Sequence, residues 1–250
     1  MISIGMGQAV SLVLGLVVGS FLNVVIYRLP RGESVVWPGS RCTDCGTPLR
    51  PMDLVPVLSF LLLRGRCRYC GARISWRYPL VESVTGVLFL LAYTRLGFGS
   101  QLVFAWVLAG VVVAIAAIDL EHRRIPNVIV LPAAAVGLLS ALATRSVHIH
   151  EALLGMAVGT LALGLLSIVS RGGMGMGDAK LLGMVGAWAG WRGMLLTLFG
   201  ASVVASAIGL ALIACRVIGR RQPIPFGPFL SICGYAVYIY GDRMLELWLG

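Results

Sequence analysis

Residues 101–118 read QLVFAWVLAGVVVAIAAI, an uncharged stretch that decides the fold of this chain. A helix rises about 1.5 Å per residue, so this run approaches the roughly 20 residues that cross the hydrocarbon core of a bilayer. Residues 152–170 and 193–215 are equally free of charge. Because every backbone polar group in lipid must bond within its own segment, these runs predict membrane-spanning helices.

The composition of the whole chain agrees with this interpretation. Of its 250 residues, 58% are hydrophobic and only 12% are charged, and the mean hydropathy is +0.92. A soluble domain carries about 25% charged residues. The formal net charge is +10, but the basic residues fall between apolar runs and lack the aromatic interleaving of a nucleic-acid-binding surface. We therefore predict an integral membrane protein that does not bind nucleic acid.

The distribution of basic residues predicts how the chain crosses the bilayer. No basic segment precedes the first apolar run, so we expect this run to be a retained helix and not a cleaved signal. With the amino terminus outside, sixteen of the twenty basic residues lie inside, where such residues accumulate. About eight spans are predicted, near residues 4–27, 80–97, 101–118, 128–144, 152–169, 179–190, 193–215 and 226–247.

Residues 28–79 are too polar for a span and are rich in arginine and proline. We predict that they form a small cytoplasmic module between the first transmembrane helix, residues 1–27, and a transmembrane core, residues 80–250. The predicted fold is thus an all-α polytopic membrane protein with a small folded module between helices 1 and 2.

Four cysteines in this module form two pairs, Cys42-x-x-Cys45 and Cys67-x-x-Cys70. A glycine follows each pair and can adopt the positive φ that turns backbone N–H groups toward the sulfur atoms. Four thiolates suit a tetrahedral structural zinc site. Two disulfides are disfavoured in the cytoplasm, and reduced thiols without metal are the remaining alternative.

Two of the ten carboxylates, Asp119 and Asp178, stand out by position. Asp119 ends the run 101–118, and Asp178 follows the glycine-rich residues 172–177. In the predicted topology both lie at the cytoplasmic boundary of the membrane, where a carboxylate is costly unless it faces water, a partner or a cavity. Taken singly, Asp178 could be a helix N-cap and Asp119 an interfacial residue.

Taken as a pair, the two aspartates predict aspartyl proteolysis. Two carboxyl groups in one site share a proton, so one activates water while the other protonates the scissile carbonyl oxygen. The sequence does not assign these two roles, because a coupled pair titrates as a unit.

The sequence resembles the prepilin (type IV leader) peptidase family of GxGD aspartyl proteases. Gly175-Met176-Gly177-Asp178 matches the GxGD element, and Asp119 is followed by Ile125-Pro126-Asn127, as in the family. Further similar segments are residues 19–30, 56–59, 64–67 and 78–82.

This resemblance implies catalysis by Asp119 and Asp178 at the cytoplasmic face of the bacterial inner membrane. The implied substrates are type IV prepilins and type II secretion pseudopilins, whose basic leader is removed. It also implies methylation of the new amino terminus with S-adenosylmethionine. The sequence does not locate the binding site for this methyl donor, although Glu33, Asp53 and Glu82 are conceivable polar contributors. The zinc ion would support structure and not cleavage.

Two other interpretations remain at this stage. Presenilin-like proteases share GxGD but place the first aspartate after a tyrosine within a helix, whereas Asp119 ends a helix before an Ile-Pro-Asn turn. A transporter or assembly factor would use the aspartates to carry protons or cations, but ionisable residues are scarce within the predicted spans.

Overall fold

A computed structural model of the chain describes residues 4–169, 175–219, 222 and 224–249. In these ranges the chain forms eight α-helices and no β-strand. Six of the helices are long and apolar enough to cross a membrane. The predicted all-α, multi-pass architecture is therefore confirmed. The chain divides into two compact units, Met1–Phe98 and Gly99–Gly250.

The first unit contains α1 (Ile4–Arg28), α2 (Leu58–Leu62) and α3 (Arg77–Leu96). Helices α1 and α3 run antiparallel, since Gly15 lies against Gly86 while Gly19 lies against Glu82. A Cβ atom added to Gly15 would lie 2.7 Å from the Cα atom of Gly86. Gly15 and Gly19 form the G-x-x-x-G spacing that lets membrane helices approach closely.

The segment between α1 and α3 is held together largely by polar contacts. The Arg28 guanidinium donates hydrogen bonds to the carbonyl oxygens of Ser34, Pro38 and Gly39. Asp53, whose side chain is only 3% exposed, accepts three more hydrogen bonds. Their donors are Arg68 Nε at 2.7 Å, the Tyr69 hydroxyl at 3.0 Å and the Arg50 amide at 3.1 Å.

The second unit consists of α4 (Ser100–His122), α5 (Asn127–Thr144), α6 (Ile149–Val169), α7 (Met176–Ala214) and α8 (Gly227–Leu249). Helix α7 is interrupted at Gly190, where φ is 68° and ψ is −179°. A Cβ atom added to Gly159 of α6 would lie 3.1 Å from the Leu182 carbonyl oxygen and 3.2 Å from Met194 Cγ.

Leu182 and Met194 would be about 18 Å apart along a straight helix, because each residue adds about 1.5 Å. Their contact with the same point of α6 shows that α7 folds back on itself at Gly190. The interruption coincides with the end of the sixth predicted span, residues 179–190. The two halves of α7, before and after Gly190, therefore correspond to the two separate helices predicted over 179–190 and 193–215.

Candidate active site

Asp119 lies in the last turn of α4 and is only 5% exposed. Its Oδ2 atom accepts a hydrogen bond of 3.1 Å from the backbone N–H of Gly227, the first residue of α8. The carboxyl group thus faces the amino end of a helix, where free N–H groups and the helix dipole favour negative charge.

Asp178 is half-buried in the first turn of α7. Its own amide donates to the carbonyl oxygen of Gly175, the N-cap residue, over 3.1 Å. The N-cap position belongs to Gly175 and Asp178 is the third residue of α7, so the interpretation of Asp178 as a simple N-cap is wrong. Gly172, Gly173 and Met174, the first part of the glycine-rich approach, lie outside the described residues.

Three contacts bring the two aspartate-bearing segments together. The Ile125 side chain lies against both Gly177, just before Asp178, and Gly227, the amide partner of Asp119. Lys180 Nζ donates a 3.0 Å hydrogen bond to Asn127 Oδ1, which ties the start of α7 to the start of α5. The carboxyl groups of Asp119 and Asp178 are close enough to interact electrostatically. The structure therefore places the two predicted residues at one end of the second unit.

The sequence interpretation missed Gly227. A Cβ atom at this position would lie 2.5 Å from Asp119 Oδ2, so only glycine leaves room for the carboxyl group. The surrounding residues 225–228 read Pro-Phe-Gly-Pro, a pattern that indicates a break before a helix. Nothing in that pattern connects it with a residue 108 positions earlier.

The four module cysteines form a compact cluster in the first unit. The Sγ atoms of Cys42, Cys45, Cys67 and Cys70 all lie within 4.8 Å of one another, and none of them is in a disulfide. Sulfur atoms in a tetrahedral zinc site are about 3.8 Å apart, given Zn–S bonds of about 2.3 Å. The Cys42–Cys70 sulfur distance of 3.9 Å fits this geometry. The cluster is therefore able to hold a metal ion.

Each pair of cysteines sits in a tight turn. Gly46 and Gly71 have φ of 71° and 72°, which confirms the predicted positive φ. Their amides donate 3.0 Å hydrogen bonds to the carbonyl oxygens of Cys42 and Cys67. Hydrogen bonds with the Thr47 side chain and amide lower the pKa of the Cys45 thiol to about 6, which favours the metal-binding thiolate.

The fold and the site together define a class: a polytopic helical membrane protein with a pair of neighbouring aspartates. Comparison with known families gives the particular class. Residues 13–96 match the bacterial peptidase A24 N-terminal domain, and residues 106–210 match the type IV leader peptidase family.

Curated relatives match over almost the whole chain. The prepilin leader peptidase/N-methyltransferase of Stutzerimonas stutzeri is 37% identical and the alignment covers 96% of this chain and 92% of that protein. Proteins of the same name from Pseudomonas aeruginosa (96% and 92% covered) and Dickeya chrysanthemi (89% of each) are 35% and 38% identical. No solved structure matches the chain at a comparable level. This chain belongs to the type IV leader peptidase family, which favours that interpretation over the presenilin-like and transporter alternatives.

Proposed function

We propose that this protein removes the leader from type IV prepilins and type II secretion pseudopilins, and then methylates the new amino terminus. The observation that carries the proposal is the convergence of Asp119 and Asp178 at one end of the second unit. The relatives that cover most of the chain carry both activities in their name.

The surroundings of the two carboxyl groups support an assignment of roles. Two nearby carboxyl groups do not both ionise at low cost, so one retains a proton. The Asp119 carboxylate accepts a hydrogen bond from the Gly227 amide at the start of α8, and this contact favours the ionised form of Asp119. Asp119 is then the base that takes a proton from water, and Asp178 is the acid that protonates the scissile carbonyl oxygen.

The glycines beside Asp178 provide access for an extended substrate. Gly175 is exposed, and among the described residues a Cβ atom there would meet only the Asp178 carboxyl group, at 3.4 Å, and the Gly177 amide, at 3.8 Å. A substrate backbone is therefore able to approach Asp178 past Gly175 and Gly177, which place no side chain in its path. Residues with larger side chains at 175 would narrow this approach.

The position of the site suits a substrate that is half in the membrane. Asp119 ends α4 and Asp178 begins α7, and the bias of basic residues assigns this end to the cytoplasmic face, with the amino terminus outside. The junction between a basic cytoplasmic leader and an apolar helix would then lie beside the pair, in the bacterial inner membrane.

We assign Zn²⁺ to the four-cysteine cluster as a structural ion. Four cysteine ligands fill a tetrahedral coordination sphere and leave no position for a substrate. The ion would hold the two turns at Gly46 and Gly71 together. Metal analysis after purification without chelators should give about one zinc per chain, and a trace amount would contradict the assignment.

S-adenosylmethionine would supply an electrophilic methyl group for the amine released by cleavage. Purified protein incubated with a prepilin and labelled S-adenosylmethionine tests both activities in one experiment. Mass spectrometry of the product should show loss of the leader and gain of one methyl group. Asp119→Asn and Asp178→Asn should each abolish leader loss, while Glu151→Gln, the same type of change in α6, should not. Unchanged processing by either aspartate variant would refute the protease assignment.

A further inference from the structure

The first unit contains a partly open cavity of about 770 Å³ that the cleavage chemistry does not use. Its volume falls in the range of about 300–1,000 Å³ that is typical of small-molecule sites. Residues of α1, α3 and the intervening module line it, and it extends to the cysteine cluster. All of its lining residues belong to the first unit, whereas Asp119 and Asp178 belong to the second.

One wall of the cavity carries a buried carboxyl group without a cation. Glu82 is 7% exposed and accepts hydrogen bonds from the Val57 amide, at 2.8 Å, and the Ser20 hydroxyl. Among the described residues, no basic side chain forms an ion pair with Glu82. A buried carboxylate without a positive partner is unfavourable, so a cationic ligand group would stabilise it.

The same wall carries an acceptor without a donor. Asn23 is 2% exposed, and its Nδ2 atom donates to the carbonyl oxygens of Gly19 and Tyr78. These two carbonyls fix the orientation of the amide, because a flip would place Oδ1 against two other acceptors. Asn23 Oδ1 has no hydrogen-bond partner within the described part of the chain. Buried acceptors nearly always have a donor, so Asn23 Oδ1 is available to accept a hydrogen bond from a bound ligand.

Two unpaired arginines lie elsewhere on the lining. Arg41 and Arg73 are exposed, and their side chains have no hydrogen-bond or ion-pair partner among the described residues. Arg28 and Arg68 also line the cavity, but their guanidinium groups are occupied by backbone carbonyls and by Asp53. The cavity therefore offers free positive charge at Arg41 and Arg73, and negative charge and an acceptor at Glu82 and Asn23.

We propose that this cavity binds S-adenosylmethionine, with its cationic groups toward Glu82 and Asn23 and its carboxylate toward Arg41 and Arg73. The inference rests on the methyl transfer proposed above and names the residues that would hold the methyl donor. S-adenosylmethionine carries both positive and negative groups, which complement the negative charge of Glu82 and the positive charges of Arg41 and Arg73 in the lining. A zwitterionic phospholipid headgroup such as phosphatidylethanolamine shares this chemistry, so the experiment must separate the two sources.

Binding of sinefungin, a non-reactive analogue of the methyl donor, tests the proposal by isothermal titration calorimetry. The protein is placed in nanodiscs of phosphatidylglycerol alone and should bind one analogue per chain. The Arg41→Gln/Arg73→Gln double variant should bind at least about tenfold more weakly, because charge-assisted hydrogen bonds to the carboxylate are lost. Glu82→Gln should weaken binding by a similar factor.

Arg64→Gln is the matched control, since Arg64 is exposed in the same unit but does not line the cavity. It should bind the analogue with parental affinity. Equal affinity in the parental protein and the arginine double variant would overturn the proposal. Loss of binding in nanodiscs that contain phosphatidylethanolamine would show that the cavity takes a lipid headgroup instead.

Leader cleavage measured on the same preparations keeps the two proposals apart. No sinefungin binding together with normal cleavage would refute the methyl-donor site alone. No cleavage together with normal sinefungin binding would refute the protease assignment alone.

Discussion

Gly227→Ala is the most specific perturbation of the aspartate pair that the structure offers. The added Cβ atom would lie 2.5 Å from Asp119 Oδ2, whereas ordinary van der Waals contact begins at about 3.4 Å. The Asp119 carboxyl group must therefore move by about 1 Å, away from the geometry that its hydrogen bond with the Gly227 amide defines.

A misplacement of about 1 Å in a catalytic group costs about 100-fold in rate. We therefore expect Gly227→Ala to lower kcat for leader cleavage about 100-fold, equivalent to about 2.7 kcal/mol of lost transition-state stabilisation. KM should change little, because the carboxyl group acts on the reacting bond and not on the bulk of the substrate. The assay is a time course of leader removal from a purified prepilin, followed by mass spectrometry.

The matched control is Gly164→Ala in α6, where an added Cβ atom has no neighbour within 4 Å among the residues that the structure describes. It makes the same chemical change and should leave cleavage at the parental rate. If Gly227→Ala cleaves as fast as Gly164→Ala, the close contact between Gly227 and the Asp119 carboxyl group does not exist in the working enzyme.

Three further predictions concern Asp53 and Cys67 in the first unit and Gly190 in the second. The hydrogen bond from Arg68 holds the pKa of Asp53 below its usual value. The ionised Asp53 side chain therefore stabilises the fold fully above the unfolded-state pKa of about 3.9, and this stabilisation is lost as the pH falls through the folded-state pKa. Asp53→Asn should lower the melting temperature at neutral pH and flatten its decline in acid, as followed by thermal unfolding of wild type and variant across pH. Cys67→Ser should reduce bound zinc and methylation while most leader cleavage remains, which metal analysis and the product assay check together. Gly190→Ala should lower the free energy of unfolding by about 1–3 kcal/mol, because φ of 68° with ψ of −179° is essentially restricted to glycine. An unchanged melting temperature would argue against the reversal of α7.

Much of the fold was predictable because it follows from short-range patterns. The uncharged run 101–118 corresponds to α4 with Asp119 in its last turn, and the polar segment 28–79, rich in arginine and proline, lies between α1 and α3. The two CxxC pairs, each with its glycine, were enough to predict the turns and the cluster. The helix and the two turns each depend on residues within a few positions of one another, and the repeated Cys-x-x-Cys spacing predicted that the two distant pairs come together.

The remaining features depend on contacts between distant segments, which a single sequence does not reveal. The Gly227 amide beside Asp119 and the Ile125 contact with Gly177 join segments that share no motif. The reversal at Gly190 was visible only as a boundary between two apolar runs. The cavity of the first unit combines charges from α1, α3 and the module, so no linear pattern marks it.

The most direct test of the central claim compares leader cleavage by Asp119→Asn, Asp178→Asn and the double variant under single-turnover conditions. If the two carboxyl groups act as one unit, each single variant loses cleavage by a factor of about 1,000 or more, and the double variant is no slower than either. Losses that multiply in the double variant, or substantial cleavage by either single variant, would show that Asp119 and Asp178 do not form a catalytic pair.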